Sequence, residues 1–161
     1  MTDFDQIASL LRYDHETGLL FWRVRRGKQR AGSVAGHSSR RGYVMVRVLN
    51  RIVCAHRVAW LLQTGAWPVH EIDHINGQKG DNRFANLRDV SRSVNHQNRT
   101  SARRGSKTGL LGARYSERRG HYFSEIKAAD GYRYLGSFHT AQAAHEAYVA
   151  AKRQLHEGCT L

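Results

Sequence analysis

The residues with the clearest chemical potential lie between positions 73 and 95. Asp73 and His74 stand side by side in "EIDHING", Asn86 follows 12 residues after His74, and Asn95 follows 9 residues after Asn86. Hydrolysis of a phosphodiester needs a base that deprotonates a water molecule and positive charge near the leaving oxygen. An imidazole can accept a proton at neutral pH, and carboxylate and amide oxygens suit a hard divalent cation. His74 is therefore a candidate base, and Asp73 and Asn95 are candidate metal ligands.

Local patterns predict the elements that must position these residues. "VHEIDHI" after Pro68 is typical of a strand, and "NGQKGDNRFANL" of a loop that begins with an Asn-Gly turn. "LRDVS" predicts a second short strand, and Ser91 can cap a helix through "RSVNHQNRT". Neighbours on a strand face opposite sides, so Asp73 and His74 can serve different tasks at one site. Asp81 and Asn82 are interpreted as turn residues rather than ligands, because both types favour turns for backbone reasons.

The region upstream is predicted to be β-rich, with two helices. A short amphipathic helix is expected at 4–12, then a turn at 16–18 that leads into a strand. "YVMVRVLN" predicts a strand, and "IVCAHRVAWLLQTG" predicts a strand that continues as a helix ending at Gly65. His56, within that helix, is expected to support packing rather than catalysis.

After a polar, basic segment, the C-terminal part predicts a small sheet and one helix. "LGARYSE", "HYFSEIKA" and "YRYLGSF" are three short strands, and Thr140 caps an Ala-rich helix that is expected to end at Gly158. The predicted fold class is thus α+β, with a three-stranded antiparallel sheet packed on one helix. The outer face of this sheet is expected to carry basic and polar side chains: Arg114, Ser116, Tyr122 or its neighbours, Lys127, and Arg133 or Tyr134. Such a face can enter the major groove of DNA.

Charge is the strongest global signal. The 161 residues include 26 Lys and Arg against 13 Asp and Glu, for a net charge of +13 and a pI near 10.5. Between 17 and 70 there are ten basic residues and no acidic one, and "RTSARRGSK" adds four more basic residues. Unbalanced basic charge favours a polyanionic partner, so nucleic-acid binding is expected. The other interpretation is a solvated basic surface on a soluble protein.

Several classes of protein are disfavoured by the same composition. No apolar run approaches the roughly 18 residues of a membrane span. The N-terminus has two acids and no basic region, unlike a secretory signal, which points to the cytoplasm. Cys54 and Cys159 stand far apart, so neither a disulfide framework nor a cysteine zinc site is expected.

The segment "EIDHINGQKGDNRFANLRDVSRSVNHQN" resembles the His-Asn-His (HNH) endonuclease family, which has the ββα-metal fold, and specifically its phage homing members. The resemblance extends to "YDHETGLLFW" and "AHRVAWLLQTG". It implies that Asp73 binds one divalent metal ion, most simply Mg²⁺ and alternatively Mn²⁺, and that His74 is the general base. It also implies that Asn86 orients the histidine and braces the loop, and that Asn95 is the second metal ligand. His96 stands beside Asn95 and is the alternative ligand.

The C-terminal part resembles the DNA-binding domain of the plant ethylene-response-factor (APETALA-type) class. The shared features are "EI" followed by a basic residue, "YLGSF", and a Thr-capped, Ala-rich helix with a tyrosine. By position, DNA contacts are implied for Arg114, Arg119, Lys127, Arg133 and Tyr134. Tryptophan is usual where Arg119 and Tyr134 stand, so base specificity does not carry over.

The resulting organisation has four parts. Residues 1–51 form a basic, β-rich part of the nuclease domain, 52–100 the nuclease module, 101–107 a linker and 108–161 the DNA-binding domain. The expected function is metal-dependent cleavage of double-stranded DNA by a phage- or prophage-encoded protein in a bacterial host. A non-catalytic DNA-binding regulator with the same basic surfaces is the alternative, and RNA binding is a weaker third. Whether the protein is a monomer that nicks one strand or a homodimer that cuts both stays open.

Overall fold

The N-terminal helix begins at a pair of reciprocal hydrogen bonds. In α1 (Asp3–Leu10) the Thr2 hydroxyl accepts from the Asp5 backbone N–H, and the Asp5 carboxylate accepts from the Thr2 N–H at 2.9 Å. The helix predicted at 4–12 is therefore present, but it ends at Leu10. Leu11 is extended, with φ −126° and ψ 147°, because it enters the first strand.

The structure is a computed structural model that describes residues 1–161. Its contacts divide the chain into two compact units, Met1–Arg92 and Ser93–Leu161. None of the helices combines the length and apolar composition needed to cross a membrane.

In the first unit, α1 is followed by two small antiparallel sheets. The first pairs β1 (Leu11–Tyr13) with β2 (Leu20–Trp22). The second has the order β3-β4-β5, where the strands are β3 (His37–Ser38), β4 (Val44–Val48) and β5 (Arg51–Cys54). Ile7, Leu11, Val46 and Val58 are among the fully buried residues that join these sheets to the helices.

The second helix connects this core to the hairpin that follows. As predicted, α2 (Ala55–Thr64) continues directly from β5 and ends at Gly65, which is left-handed with φ 82° and donates to Leu61 O at 2.8 Å. Val58 and Leu61 pack into the core of sheets and helices, whereas Ala59 packs with Ile72 and Leu87 of the next hairpin. The helix thus fixes the hairpin relative to the rest of the unit.

The predicted strand–loop–strand region is present. Strand β6 (Glu71–His74) pairs antiparallel with β7 (Leu87–Val90), and a 3₁₀ turn, Phe84–Asn86, precedes β7. Helix α3 (Arg92–Gln97) follows at the predicted place and is six residues long. The division between the two units falls inside α3, after Arg92.

The second unit contains the predicted three strands and one helix. The strands are β8 (Ala113–Ser116), β9 (His121–Ala128) and β10 (Gly131–Phe138), in the order β10-β9-β8. Helix α4 (Ala141–Leu155) packs on all three strands, and its Ala144 is fully buried. The Thr140 side chain accepts from the Ala143 N–H at 3.1 Å and caps α4. The helix ends at Leu155 rather than next to Gly158, since His156 is extended and bonds the sheet instead. Four helices and separate antiparallel sheets make the chain α+β, as predicted.

Candidate active site

Asp73 and His74 are held at the end of β6 by the pairing of the hairpin. Asp73 lies opposite Arg88, and His74 lies opposite Leu87. Asp73 is 6% exposed and His74 is 4% exposed, which is unusual for residues of these types. The preceding Ile72 packs on Ala59 of α2. The apolar anchor therefore holds the strand while its last two residues carry polar groups into a buried site.

The carboxylate of Asp73 is paired with one arginine. Arg88 donates to Asp73 Oδ2 twice, from Nε at 2.8 Å and from a terminal guanidinium nitrogen at 2.7 Å. A buried carboxylate needs such a partner because loss of its hydration is costly. The cross-strand position of Arg88 makes the pair possible, so the β6–β7 register fixes the orientation of the Asp73 side chain.

The imidazole of His74 is held by an amide from the loop that follows it. His74 Nε2 lies 3.1 Å from Oδ1 of Asn82, which is itself only 3% exposed. An amide oxygen can only accept, so this bond requires the proton on Nε2. Nδ1 is then the nitrogen that carries the lone pair in the neutral ring. The contact selects the tautomer in which His74 can take a proton through Nδ1.

Two further rings pack around His74. His56 meets it edge to face, with centroids 5.1 Å apart, and Tyr43 lies 6.1 Å from it. Burial, followed by the neighbouring charges of His74 and Arg57, lowers the pKa of His56 to about 3. The His56 ring is therefore neutral at neutral pH and adds no charge beside His74. This agrees with the packing role predicted for His56, although its Nδ1 is buried without a hydrogen-bond partner.

Asn86 braces the loop between the two strands. Its Oδ1 accepts from the Asn76 N–H at 2.9 Å, and its Nδ2 donates to Asp81 O at 2.8 Å. Its backbone carbonyl accepts from the Ile75 N–H at 2.9 Å. Asn86 thus fixes the chain immediately after His74. The His74 ring donates its hydrogen bond to Asn82, whereas the Asn86 side chain bonds the backbone of the loop.

Asp81 forms the turn that was predicted for it. Its carboxylate accepts from the Arg83 guanidinium at 2.8 and 2.6 Å and from Asn76 Nδ2 at 2.8 Å. The hydrogen bonds from Arg83, followed by the one from Asn76, hold the pKa of Asp81 well below its usual range. Asp81 is therefore a charged brace of the loop.

The N-terminal hairpin supports the same loop from the outside. The Tyr13 hydroxyl donates to Asn82 O at 2.7 Å, and the Phe84 N–H donates to His15 O at 3.2 Å. Gly18 approaches so closely that a Cβ there would lie 2.4 Å from Arg83 N. The stretch "YDHETGLLFW" therefore helps to hold Asn82 against His74.

Asn95 and His96 lie on α3, in the second unit. Asn95 is half-buried and His96 is exposed. No group of three or more His, Cys, Asp or Glu side chains is arranged to hold a metal ion. The donors predicted here, a carboxylate and an amide, are a different set, and their hard oxygens fit Mg²⁺ or Mn²⁺. The identity of the second ligand stays a prediction.

The sequence did not predict the roles of two residues near the site. The sequence predicts only a turn role for Asn82, whereas its side chain also holds His74. Arg88 carried no assigned role, and it pairs with Asp73. For Arg88 the signal was available, because two short strands joined by a loop place a basic residue across from the acid. For Asn82 no local signal separates a turn asparagine from one that orients a ring.

The register of the C-terminal sheet sorts the predicted DNA contacts by face. Residues directly opposite each other in an antiparallel pair share a face. Arg114 pairs with Phe123, and Tyr134 with Glu125, so these lie on the face away from the buried Ile126. Lys127 shares that outer face, and Tyr122 lies on the other one, so its neighbours His121 and Phe123 are the outward residues.

Arg133 and Arg119 are placed differently. Arg133 pairs with Ile126 and so lies on the helix side of the sheet, where it donates to Asp130 at 2.8 Å. Arg119 lies in the exposed turn between β8 and β9. On the outer face, Arg114 forms an ion pair with Glu125. The sequence left open whether Arg133 or Tyr134 lies on the outer face of the sheet. The register places Tyr134 there.

Part of the chain matches the model of a known protein family. Residues 53–97 match the family model HNH_3, described as HNH endonuclease. The match begins in β5, includes the whole β6–β7 hairpin and ends at Gln97, the last residue of α3. No curated protein and no solved structure matches the chain. The match supports an HNH endonuclease, which confirms that part of the sequence prediction.

Proposed function

We propose that this chain is a metal-dependent HNH endonuclease of the phage homing type that hydrolyses double-stranded DNA. The observation that carries the proposal is the buried pair Asp73-His74, held by Arg88 and Asn82 inside a segment that matches the HNH family. Burying an acid and a histidine together costs free energy unless both are hydrogen-bonded. Such an arrangement is typical of residues positioned for chemistry.

In the proposed reaction His74 is the general base. It accepts a proton from water at Nδ1 while Nε2–H stays bonded to Asn82. The water oxygen forms the new bond to phosphorus, and the bond to the leaving oxygen of the sugar breaks. Asn86 keeps the backbone after His74 in place during this step.

Asp73 and Asn95, or His96 in place of Asn95, are the proposed ligands of a single divalent ion, Mg²⁺ or alternatively Mn²⁺. When bound, such an ion supplies positive charge that stabilises the leaving oxygen. Arg88 keeps the Asp73 carboxylate fixed, so that it need not reorganise when a cation arrives.

The C-terminal sheet is the proposed targeting surface. Arg114, Lys127 and Tyr134 share its outer face, and Arg119 lies in the turn between β8 and β9. Arginine reads guanine edges, lysine holds phosphates, and tyrosine stacks or donates a hydrogen bond. A net charge of +13 supports a polyanionic partner for the whole chain.

Supercoiled plasmid incubated with the protein and Mg²⁺ or Mn²⁺, with and without chelator, tests the proposal. We expect nicked or linear product that disappears with chelator. Retention of supercoiled plasmid with every divalent ion, together with DNA binding, would instead favour the regulator. The ratio of nicked to linear product also separates a monomer that cuts one strand from a dimer that cuts both.

A further inference from the structure

The residues that follow α4 connect two distant parts of the second unit. His156 is 9% exposed, and its Nε2 donates to the backbone carbonyl of Lys127 at 2.8 Å. Lys127 belongs to β9 and faces outward. The segment that follows α4 comprises residues 156–160. Its first residue, His156, is thus hydrogen-bonded to the strand that carries a proposed DNA contact.

The later residues of the segment are hydrogen-bonded to the end of α3 and to the residue after it. The Gly158 N–H donates to Gln97 Oε1 at 3.1 Å, and the Thr160 hydroxyl donates to Asn98 Oδ1. Asn98 is 6% exposed, whereas Thr160 is exposed, so this bond ties a buried amide to the surface of the unit. Two successive residues, Gln97 and Asn98, are therefore held by the C-terminal segment.

A buried lysine from α4 extends this contact. Lys152 is 1% exposed, and its ammonium donates to the carbonyl of Arg99. Burial lowers the pKa of Lys152. A lysine is seldom buried to this degree, and its desolvation is offset here by a bond to the chain just after α3. Residues 97, 98 and 99 are thus each held by a group from the C-terminal part of the unit.

Gly158 makes the closest approach to the helix. A Cβ at this position would lie 2.3 Å from Val94 O and 3.1 Å from Gln97 Cβ. Val94 directly precedes Asn95, the proposed metal ligand. A side chain at 158 would therefore displace the helical backbone next to that ligand, because a backbone carbonyl cannot turn aside as a flexible side chain can.

Helix α3 needs such external contacts. It has six residues, and a helix of that length has little stability of its own. A metal ligand must nevertheless be held to within a fraction of an ångström, and groups behind a ligand commonly provide this.

We infer that Gly158 and Thr160 position α3, and with it Asn95 or His96, and that His156 links this metal-ligand helix to the DNA-facing strand β9. This inference rests on the proposed function. It makes Gly158 and Thr160 positioning residues for cleavage, although they lie beyond the segment that matches the nuclease family. It also joins metal binding and DNA contact through the interior of one compact unit.

The substitution Gly158→Ala tests the inference in the full-length protein, with Glu157→Gln as the matched control. Glu157 is the exposed neighbour in the same segment. The measurements are the cleavage rate against Mg²⁺ concentration at saturating DNA, and DNA affinity in chelator. We expect Gly158→Ala to raise the half-saturating Mg²⁺ concentration by about tenfold or more, with DNA affinity within about twofold of wild type, and Glu157→Gln to change neither.

A second variant, Gln97→Ala, removes the acceptor of the Gly158 N–H without adding an atom. If a thermal melt shows that Gly158→Ala does not fold, Gln97→Ala decides by the same shift in Mg²⁺ dependence. Wild-type Mg²⁺ dependence in a folded variant, or a loss of cleavage explained by DNA affinity alone, overturns the inference and leaves the proposed function standing. If the wild-type protein fails to cleave DNA with every divalent ion tested, both the inference and the proposed function are overturned.

Discussion

The side-chain oxygen of Asn82 lies 3.1 Å from Nε2 of His74, and both residues are almost fully buried. This one contact fixes the histidine tautomer, because an amide oxygen accepts but cannot donate. Asn82 is in turn held by Tyr13 through its backbone carbonyl. The tautomer of the proposed base therefore depends on a loop and on a hairpin nearly 70 residues away.

Replacement of Asn82 tests this relationship. In Asn82→Ala the His74 ring loses the acceptor that selects its tautomer, so we expect the cleavage rate at saturating DNA and metal to fall by roughly 10- to 100-fold. Asn82→Asp keeps an oxygen acceptor and should retain more activity. Gln78→Ala, in the exposed part of the same loop, is the control. Wild-type rates in Asn82→Ala would show that the contact has no part in the reaction.

Gly18 offers a test of the support from the N-terminal hairpin. Gly18 and Gly32 both have a positive φ, 74° and 81°, but a Cβ at 18 would meet Arg83 and a Cβ at 32 would meet nothing within 4 Å. Both alanine variants pay the left-handed backbone cost of about 1 kcal/mol. Gly18→Ala should lose a further ~1–3 kcal/mol and also cleave more slowly, because the loop that carries Asn82 must move.

Denaturant unfolding and cleavage rates of the two glycine variants provide the comparison. Equal losses of stability, with equal rates, would mean that the approach of Gly18 to Arg83 does not matter for the site.

The low pKa of His56 predicts a dependence of stability on pH. The folded pKa is about 3 and the ordinary value is 6.5, so between these values the unfolded state binds more protons than the folded state. Stability therefore falls as pH decreases below 6.5. From about pH 7.5 to about pH 5 the loss is on the order of 2 kcal/mol.

Denaturant unfolding at these two pH values measures the effect. The variant His56→Phe keeps a ring against His74 and cannot be protonated, so its stability should change less over the same interval. The interval lies above 3.8, the ordinary pKa of Asp81, whose own contribution is lost only at lower pH. An unchanged pH dependence in His56→Phe would assign the effect to other groups.

The two faces of the C-terminal sheet predict different effects on DNA binding. Lys127 lies on the outer face and Arg133 on the helix side. Lys127→Ala should weaken binding and reduce the slope of log affinity against log salt by about 1, as expected for one lost phosphate contact. Arg133→Ala removes the same charge from the other face and should have less effect. Equal losses in the two variants would contradict an interface confined to the outer face.

Local sequence predicted most elements of this fold, since their signals are short-range. Gly65 ends α2, Thr140 caps α4, and Asn76-Gly77 turns the chain after β6, each through contacts within a few residues. The contacts that were missed are non-local. Asn82 is held by Tyr13, and Gln97 is held by Gly158. No periodicity or turn pattern reports such pairs.

Non-local contacts also bear on the predicted division of the chain. The sequence placed a linker at 101–107, where the residues are polar and basic. The contacts of Gln97, Asn98 and Arg99 with the C-terminal segment and Lys152 begin earlier. The compact units accordingly divide after Arg92, and the linker at 101–107 stays a prediction.

The most direct test of the central claim is cleavage and binding measured together for His74→Ala. Supercoiled plasmid with Mg²⁺ reports cleavage, and a gel shift in chelator reports binding. We predict a loss of cleavage of at least ~100-fold with binding within about twofold of wild type, because the base acts in the chemical step while phosphate contacts hold the complex. Cleavage by His74→Ala at the wild-type rate would contradict the account.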